Sequence, residues 1–277
     1  MISKEQFKKE LELIISNALR EDVGSGDYSS LACIPEQEMG KAKLLVKDTG
    51  VIAGVEFAQM IFHYVDPELQ VEIVLEDGSE VKYGDVVFYV SGRSQSLLKA
   101  ERLVLNSMQR MSAIATKTAH FVKLLEGTTT KILDTRKTTP GFRACEKWAV
   151  TIGGGENHRF ALYDMIMLKD NHIDYNGNIT NAVKMTQEYL KKNKLKLKVE
   201  VETRNLAEVE EAAKLAGKGI DRIMLDNMDL KTMEEAIKII NGKCETEASG
   251  GITRDQLNAI AQTGVTYISA GALTHSA

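Results

Sequence analysis

The spacing of apolar residues changes rhythm along this chain. Residues 5–20, within MISKEQFKKELELIISNALRED, repeat at the helical period. KAKLLVK at 41–47 and residues 51–54 read as a strand pair around Gly50, and VEFAQMIFHY at 55–64 reads as a short helix. VEIVLEDGSEVKYGDVVFYVSG then alternates around the turn signals Asp77-Gly78 and Gly84-Asp85, which predicts antiparallel hairpins. From Gln95 to Leu125 runs a long helical pattern with one expected break. Its apolar positions are Leu97, Leu98, Val104, Leu105, Met108, Met111 and Ile114. A domain boundary is placed inside this stretch, giving 1–110 and 111–277. No Pro/Gly/Ser linker marks it.

Beyond the helix, short apolar strands alternate with helical stretches. Strands are expected at 131–136, 164–169, 197–203, 221–226, 244–249 and 265–270, with helices such as 205–216 and 230–240 between them. That rhythm implies a parallel sheet with crossover helices. Residues able to do chemistry end nearly every strand. A barrel gathers such ends at one mouth, whereas an open sheet spreads them along an edge. A barrel is therefore favoured, and the strands are too few for a full one, so it is read as incomplete.

Side chains alternate along a strand. In LKVEVET, Leu197, Val199 and Val201 share one face, while Lys198, Glu200 and Glu202 share the other. With the apolar face toward the helices, both glutamates point into the barrel, and Glu202 reaches its mouth. The same logic brings Arg136, Lys169 and Asp226 to strand ends. The bland alternative is a set of buried salt bridges, since buried charges persist when paired. It weakens when all these charges fall at strand ends. Ser249-Gly250-Gly251 and Ala270-Gly271-Ala272 follow the last two strands, where barrel loops often hold a phosphate. Small residues there let backbone N–H groups approach an anion.

The segment DTRKTTPGFR, at 134–143, carries Arg136, Lys137 and Arg143 close together. His158 and Arg159 follow in GGGENHR, and Lys169 in MLKDNH. Crowded cations repel, by roughly 4 kcal/mol for two unit charges about 4 Å apart at an effective dielectric near 20. They call for a multiply charged anion. The neighbouring carboxylates would repel that anion unless a divalent cation such as Mg²⁺ sat between them. Arginine can clamp a carboxylate through two parallel hydrogen bonds.

Composition narrows the partners. The net charge of −4 over 277 residues excludes a surface built for nucleic acid or anionic lipid. Anion binding must then be local. The three cysteines, Cys33, Cys145 and Cys244, show no metal spacing or disulfide framework. A reducing cytoplasm is expected. The N-terminal helix lacks an apolar signal-peptide core. No stretch approaches about 18 uncharged apolar residues, so no membrane span is expected.

The run DTRKTTPGFRACEKWAVTIGGGENHRFALYDMIMLKDNHI resembles quinolinate phosphoribosyltransferases. So do ALREDVGSGDYSS, ERLVLNSMQRMSAIAT, VEVET, IMLDNM, EASGGIT and YISAGALTHSA, which together cover nearly the whole chain. The resemblance implies an N-terminal α/β sandwich domain and an incomplete TIM-like α/β barrel. It implies transfer of phosphoribosyl from phosphoribosyl pyrophosphate to quinolinate with Mg²⁺, giving nicotinate mononucleotide, pyrophosphate and CO₂ in NAD biosynthesis. It also implies a homodimer in which Arg102 reaches the neighbouring site. By motif match, Thr135, Arg136, His158, Arg159 and Lys169 would surround the quinolinate carboxylates. Lys137, Lys169, Glu202 and Asp226 would face phosphoribosyl pyrophosphate. Glu202 and Asp226 would hold the Mg²⁺, partly through substrate or water. Lys169, Glu202 and Asp226 are the catalytic candidates. Ser249, Gly250, Gly251, Ala270, Gly271 and Ala272 would hold the 5′-phosphate.

Rival readings use the same residues. A related phosphoribosyltransferase-like paralogue could accept another acid. A Schiff-base aldolase could use Lys169 as nucleophile, but the surrounding cations argue for anion binding. The paired-glycine turns near Gly78 and Gly84 loosely resemble a lipoyl-type carrier, but the tip lysine is missing. A catalytically dead anion sensor is also open, and the intact Lys169, Glu202 and Asp226 argue against it. Members of the family usually continue a short way beyond the closing THSA.

Overall fold

The computed structural model describes residues 2–277. In chain order the first elements are α1 (Lys4–Asp22), α2 (Tyr28–Cys33), β1 (Met39–Leu45), β2 (Gly50–Val51), α3 (Val55–Val65), β3 (Gln70–Ile73), β4 (Glu80–Val81), β5 (Val86–Arg93) and α4 (Ser94–Leu124). There follow β6 (Lys131–Leu133), α5 (Arg143–Ile152), β7 (Ile166–Leu168), α6 (Asp170–Asn176), α7 (Ile179–Lys192), β8 (Val199–Thr203) and α8 (Leu206–Leu215). The chain closes with β9 (Arg222–Asp226), α9 (Leu230–Ile240), β10 (Glu245–Ser249), α10 (Leu257–Gln262), β11 (Tyr267–Ser269) and α11 (Ala272–His275). Two compact bodies result. One holds Ser3–Ala119, Lys137–Gly154 and Ala272–Ala277; the other holds His120–Arg136 and Gly155–Gly271.

The first body is built on a three-stranded antiparallel sheet in the order β1-β5-β3, with a separate two-stranded ladder of β2 and β4. The expected pairing of 41–47 with 51–54 does not form: β1 pairs with β5, and β2 with β4. Nor does Asp77-Gly78 close a hairpin, since β3 also pairs with β5. The Asp77 carboxylate instead accepts the N–H groups of Gly54, Val55 and Glu56 at 2.5, 2.9 and 3.0 Å. These are orphan donors of the first turn of α3, which an acidic cap satisfies.

Helix α4 runs 31 residues without the expected break. It contains neither Gly nor Pro, so nothing interrupts its hydrogen-bond ladder. Its hydroxyls serve nearby backbone: Thr116 Oγ1 accepts the Val51 N–H and Ser112 Oγ accepts the Ala53 N–H, both at 2.9 Å. Gly50 permits that approach, because a Cβ there would lie 2.4 Å from Thr116 Oγ1. Phe57, Ile61 and Phe62 of α3 bury their side chains with Val87, Phe88 and Val90 of β5 and Val104, Met108 and Met111 of α4.

Asp66 lies beneath this sheet at 1% exposure. It accepts from Arg93 Nε and Nη2 at 2.8 and 2.7 Å and from Ser96 Oγ at 2.8 Å. The Arg93 hydrogen bonds hold its carboxyl well below the usual carboxylate range, against the opposing effect of burial. A depressed native pKa stabilises the fold above the unfolded value of about 3.9, and that stability disappears as pH falls through the native value. Asp66→Asn should therefore unfold at lower urea than the wild type at neutral pH. The gap should narrow on acidification below pH ~4. A constant gap across pH would contradict this.

The second body is a six-stranded parallel sheet in the order β6-β11-β10-β9-β8-β7. Strands β7 to β11 neighbour one another in sequence order, and β11 then pairs with β6. Among the described residues β6 and β7 do not pair. At the free edge of β6 the Glu156 N–H donates to Ile132 O at 2.9 Å, and Glu156 O accepts from Asp134 at 3.2 Å. The barrel is thus incomplete, with its gap between the first and second strands. Helices α7, α8 and α9 begin at the caps Asn178, Asn205 and Asp229, each accepting an N–H from the first turn. All six strand C-termini point the same way.

Candidate active site

Strand β8 shows how this body divides its side chains. Val199 and Val201 are buried on one face, and Glu200 is 0% exposed on the other. Glu202, two residues on, is only partly buried and stands at the end of the strand. On the adjacent strand, Lys169 follows β7 and caps α6. Its N–H donates to His172 Nδ1 at 2.9 Å. Lys169 Nζ lies 3.6 Å from Glu202 Oε2, with the lysine side chain 49% exposed. Asp226 ends β9 and accepts from Asn227 Nδ2 at 2.7 Å.

Asn227 links this edge to the next turn. Its N–H donates to Ser249 O at 2.9 Å. Gly250 packs so closely that a Cβ would lie 2.3 Å from Asn227 Oδ1, at a φ of +101°. Only glycine suits that position. Gly251 has φ +56° and open space where a side chain would stand. One strand further, the Ala270 N–H donates to Leu133 O at 3.0 Å, which brings the turn at Ala270-Gly271 against the end of β6. Gly251 is exposed and Gly250 half-buried, so the backbone of that first turn is open to an anion.

Thr135 and Arg136 follow β6, half-buried. Arg136 Nε is buried with no hydrogen-bond partner. Arg159 is 9% exposed. Burial and then the nearby Arg136 guanidinium push its pKa below the ordinary arginine value. Two cations crowd together here, and one has a buried donor unused.

His158 occupies a different position from the one its neighbours suggest. Its ring lies inside the barrel at 6% exposure. Nε2 is 2.9 Å from Glu200 Oε2 and 3.3 Å from Glu247 Oε2. Nδ1 accepts the Arg159 N–H at 2.6 Å, and the His158 N–H donates to Asp134 Oδ1 at 2.8 Å. Burial opposes a charged imidazole, but the contacts with Glu200 and Glu247 outweigh it and raise the pKa to about 9. The N–H on Nδ1 favours the neutral ring. With Nδ1 accepting, the ring in this geometry carries its proton on Nε2, directed at the two carboxylates that favour gain of a second. Burial, then repulsion from Glu247, raises the pKa of Glu200. Burial also acts on Glu247, yet His158 and Arg222 overcome it and lower its pKa. Arg222 Nη1 donates to Glu247 Oε2 at 2.9 Å from the opposite side.

Glu247 and Arg222 were not among the residues that motif reasoning selects. The signal was present: in CETEAS, Glu245, Glu247 and Ser249 alternate onto one face, as in LKVEVET. Arg102, on α4, is exposed, and no described residue hydrogen-bonds or ion-pairs with it. Arg102, Lys137 and Ala272 belong to the first body, unlike the other candidates.

Two places could be considered for a metal. Among the described residues, potential ligand atoms converge three at a time only at His158, Glu200 and Glu247. That group already faces the Arg222 cation, so a divalent ion there would add buried positive charge. Glu202 and Asp226 instead offer hard carboxylate oxygens at neighbouring strand ends. This donor set fits Mg²⁺, which is typically held by one or two carboxylates, substrate phosphates and water.

Comparison with known proteins bears on this arrangement. Residues 27–112 match the family described as quinolinate phosphoribosyl transferase, N-terminal domain, and residues 114–277 its C-terminal domain. A rice (Oryza sativa subsp. japonica) protein named nicotinate-nucleotide pyrophosphorylase [carboxylating], chloroplastic is 48% identical, covering 96% of this chain and 75% of the relative. A Nicotiana tabacum protein named quinolinate phosphoribosyltransferase [decarboxylating] 1b is 47% identical, covering 96% of this chain and 79% of the relative. The crystal structure of NadC from Streptococcus pyogenes superposes with a TM-score of 0.88 at 40% identity, covering 100% of this chain and 94% of that one. The chain belongs to the quinolinate phosphoribosyltransferase family.

Proposed function

We infer that this chain transfers the phosphoribosyl group of phosphoribosyl pyrophosphate to quinolinate, with loss of CO₂, to give nicotinate mononucleotide for NAD biosynthesis. The observation that carries the choice of acid is the buried, unpartnered Nε of Arg136 beside the crowded Arg159. A dicarboxylate satisfies both cations at once, and a monocarboxylate leaves one unmet.

The chemistry follows from the strand ends. Arg136 and Arg159, with Thr135 and Lys169, hold the two carboxylates and turn the pyridine nitrogen toward the sugar, so that orientation lowers the barrier. The turn at Ser249-Gly250-Gly251, beside Ala270-Gly271, receives the 5′-phosphate through the backbone N–H groups of its glycines. Lys169 meets the departing pyrophosphate. Positive charge builds at the sugar as that bond breaks, and Glu202 or Asp226 stabilises it. The nitrogen attack makes a cationic ring; the bond from C2 to the adjacent carboxyl then breaks, CO₂ leaves, and the electron pair left on C2, stabilised by the neighbouring positive nitrogen, takes a proton from water. No covalent enzyme intermediate is required. Glu202 and Asp226 are the residues that would hold Mg²⁺, whose role when bound is to neutralise pyrophosphate charge.

The exposed guanidinium of Arg102 has no partner among the described residues, which supports a homodimer in which it completes the neighbouring site. We assign the reaction to the cytoplasm, in keeping with three free cysteines. No described helix is long and apolar enough to cross a membrane. Calorimetric titration tests the choice of acid. Quinolinate should bind, and nicotinate should bind at least about tenfold more weakly for want of one charge-assisted contact. Equal affinity would overturn it.

A further inference from the structure

We propose that Glu247 is a positioning residue for this reaction: from the middle of β10 it anchors the His158 imidazole inside the barrel and so presents Arg159 to the acid. The proposal rests on reading Arg136 and Arg159 as the acid's clamp.

A carboxylate at 0% exposure in a barrel core is expensive, since apolar side chains usually fill such layers. Arg222 alone could neutralise Glu247, through the contact of 2.9 Å from Nη1. The second contact, 3.3 Å from Oε2 to His158 Nε2, therefore needs its own explanation. Glu200 Oε2 lies 2.9 Å from the same Nε2, and Glu247 also accepts from Ser269. Two buried carboxylates on one ring nitrogen exceed what core neutrality requires, which indicates that the ring's placement, rather than core stability, has been favoured.

The connection to Arg159 runs through the backbone. His158 Nδ1 accepts the N–H of Arg159 at 2.6 Å, so the ring orientation and the chain direction at residue 159 are set together. Asp134, just past β6, accepts the His158 N–H at 2.8 Å and ties the same segment to the strand that leads to Arg136. Beyond these, the Arg159 side chain has one weak hydrogen bond, from Nη1 to Met165 O at 3.3 Å. Glu200 and Asp164 attract the guanidinium at longer range, and the anchored imidazole sets where its backbone starts. Without Glu247 the ring is held by Glu200 alone, and a ring drawn toward Glu200 moves Arg159 relative to Arg136. A displacement near 1 Å in a positioning group can cost about 10²-fold in rate.

The test compares Glu247→Gln with Arg222→Met. Each removes one side of the same buried ion pair, but only Glu247 touches His158. Both should lower the melting temperature. Glu247→Gln should raise the KM for quinolinate at least about tenfold, with the KM for phosphoribosyl pyrophosphate changed less than about threefold. Arg222→Met should leave the quinolinate KM within about twofold. If Glu247→Gln does not fold, Glu247→Asp, which keeps the charge but withdraws it, should give the same split. An unchanged quinolinate KM, or an equal rise in Arg222→Met, would make Glu247 merely half of a core ion pair. Wild-type turnover is measured alongside. Inactivity there would instead overturn the proposed function.

Discussion

Lys169→Ala is expected to lower kcat by about 10²–10³-fold, or ~3–4 kcal/mol, the range for removing a preorganised electrostatic group. The lysine stands where β7 ends, its Nζ 3.6 Å from Glu202 Oε2. In the free protein this is a long contact between a half-exposed lysine and a largely buried glutamate, worth little to folding at 3.6 Å. Its value lies in the reaction, when pyrophosphate takes on charge as it departs. The melting temperature should accordingly change little, because the capping of α6 depends on the Lys169 backbone N–H and His172. Steady-state kinetics with saturating substrates, together with a thermal melt, check both halves. A loss of less than about tenfold would remove Lys169 from its catalytic role. A large fall in melting temperature would show that its contacts are structural.

The second large effect concerns Arg102. Arg102→Ala should raise the KM for quinolinate by about 10- to 100-fold, as expected for losing one charge-assisted hydrogen-bonded pair. The fold should be unaffected, because the side chain is exposed and unpartnered among the described residues. A mixing experiment is more discriminating. A dimer of one Arg102→Ala and one Lys169→Ala subunit contains one site with both native residues, if arginine is supplied across the interface. Random assortment makes half the dimers mixed, so about a quarter of wild-type activity should return. The mixture is assayed at quinolinate well below the Arg102→Ala KM, where each variant alone is nearly silent; if each site were built from one chain, mixing them would restore nothing.

Much of the second body could be read before its structure. Parallel strands separated by helices leave a strong rhythm, and the shortage of strands already implied an open barrel. The observed gap between β6 and β7 is where Glu156 meets the strand edge. The first body was less legible because strand pairing is non-local. β3 and β4 flank an apparent hairpin turn, yet β3 pairs with β5 and β4 with β2. Asp77 carries the turn composition that suggests a hairpin, but three helix N–H groups compete successfully for its carboxylate.

The mouth residues were legible because charged groups at strand ends stand out against apolar strands. The interior was harder. Glu200 followed from alternation in LKVEVET, but Glu247 sits among small polar residues, where an alternating acid looks ordinary. His158 lies next to Arg159 in sequence, which suggests a shared direction. In the structure the imidazole meets Glu200 and Glu247 directly, whereas Arg159 lies beside Arg136 and feels Glu200 only at longer range.

One measurement bears most directly on the central claim, that the paired arginines await a dicarboxylate whose extra carboxyl leaves. The protein is incubated with Mg²⁺, phosphoribosyl pyrophosphate and quinolinate, and nicotinate mononucleotide and CO₂ are followed together, with nicotinate as a parallel substrate. The account predicts both products in equal amounts from quinolinate and none from nicotinate. Turnover of nicotinate, or no product from quinolinate in a folded protein, would contradict it and point to a paralogue built for a different acid.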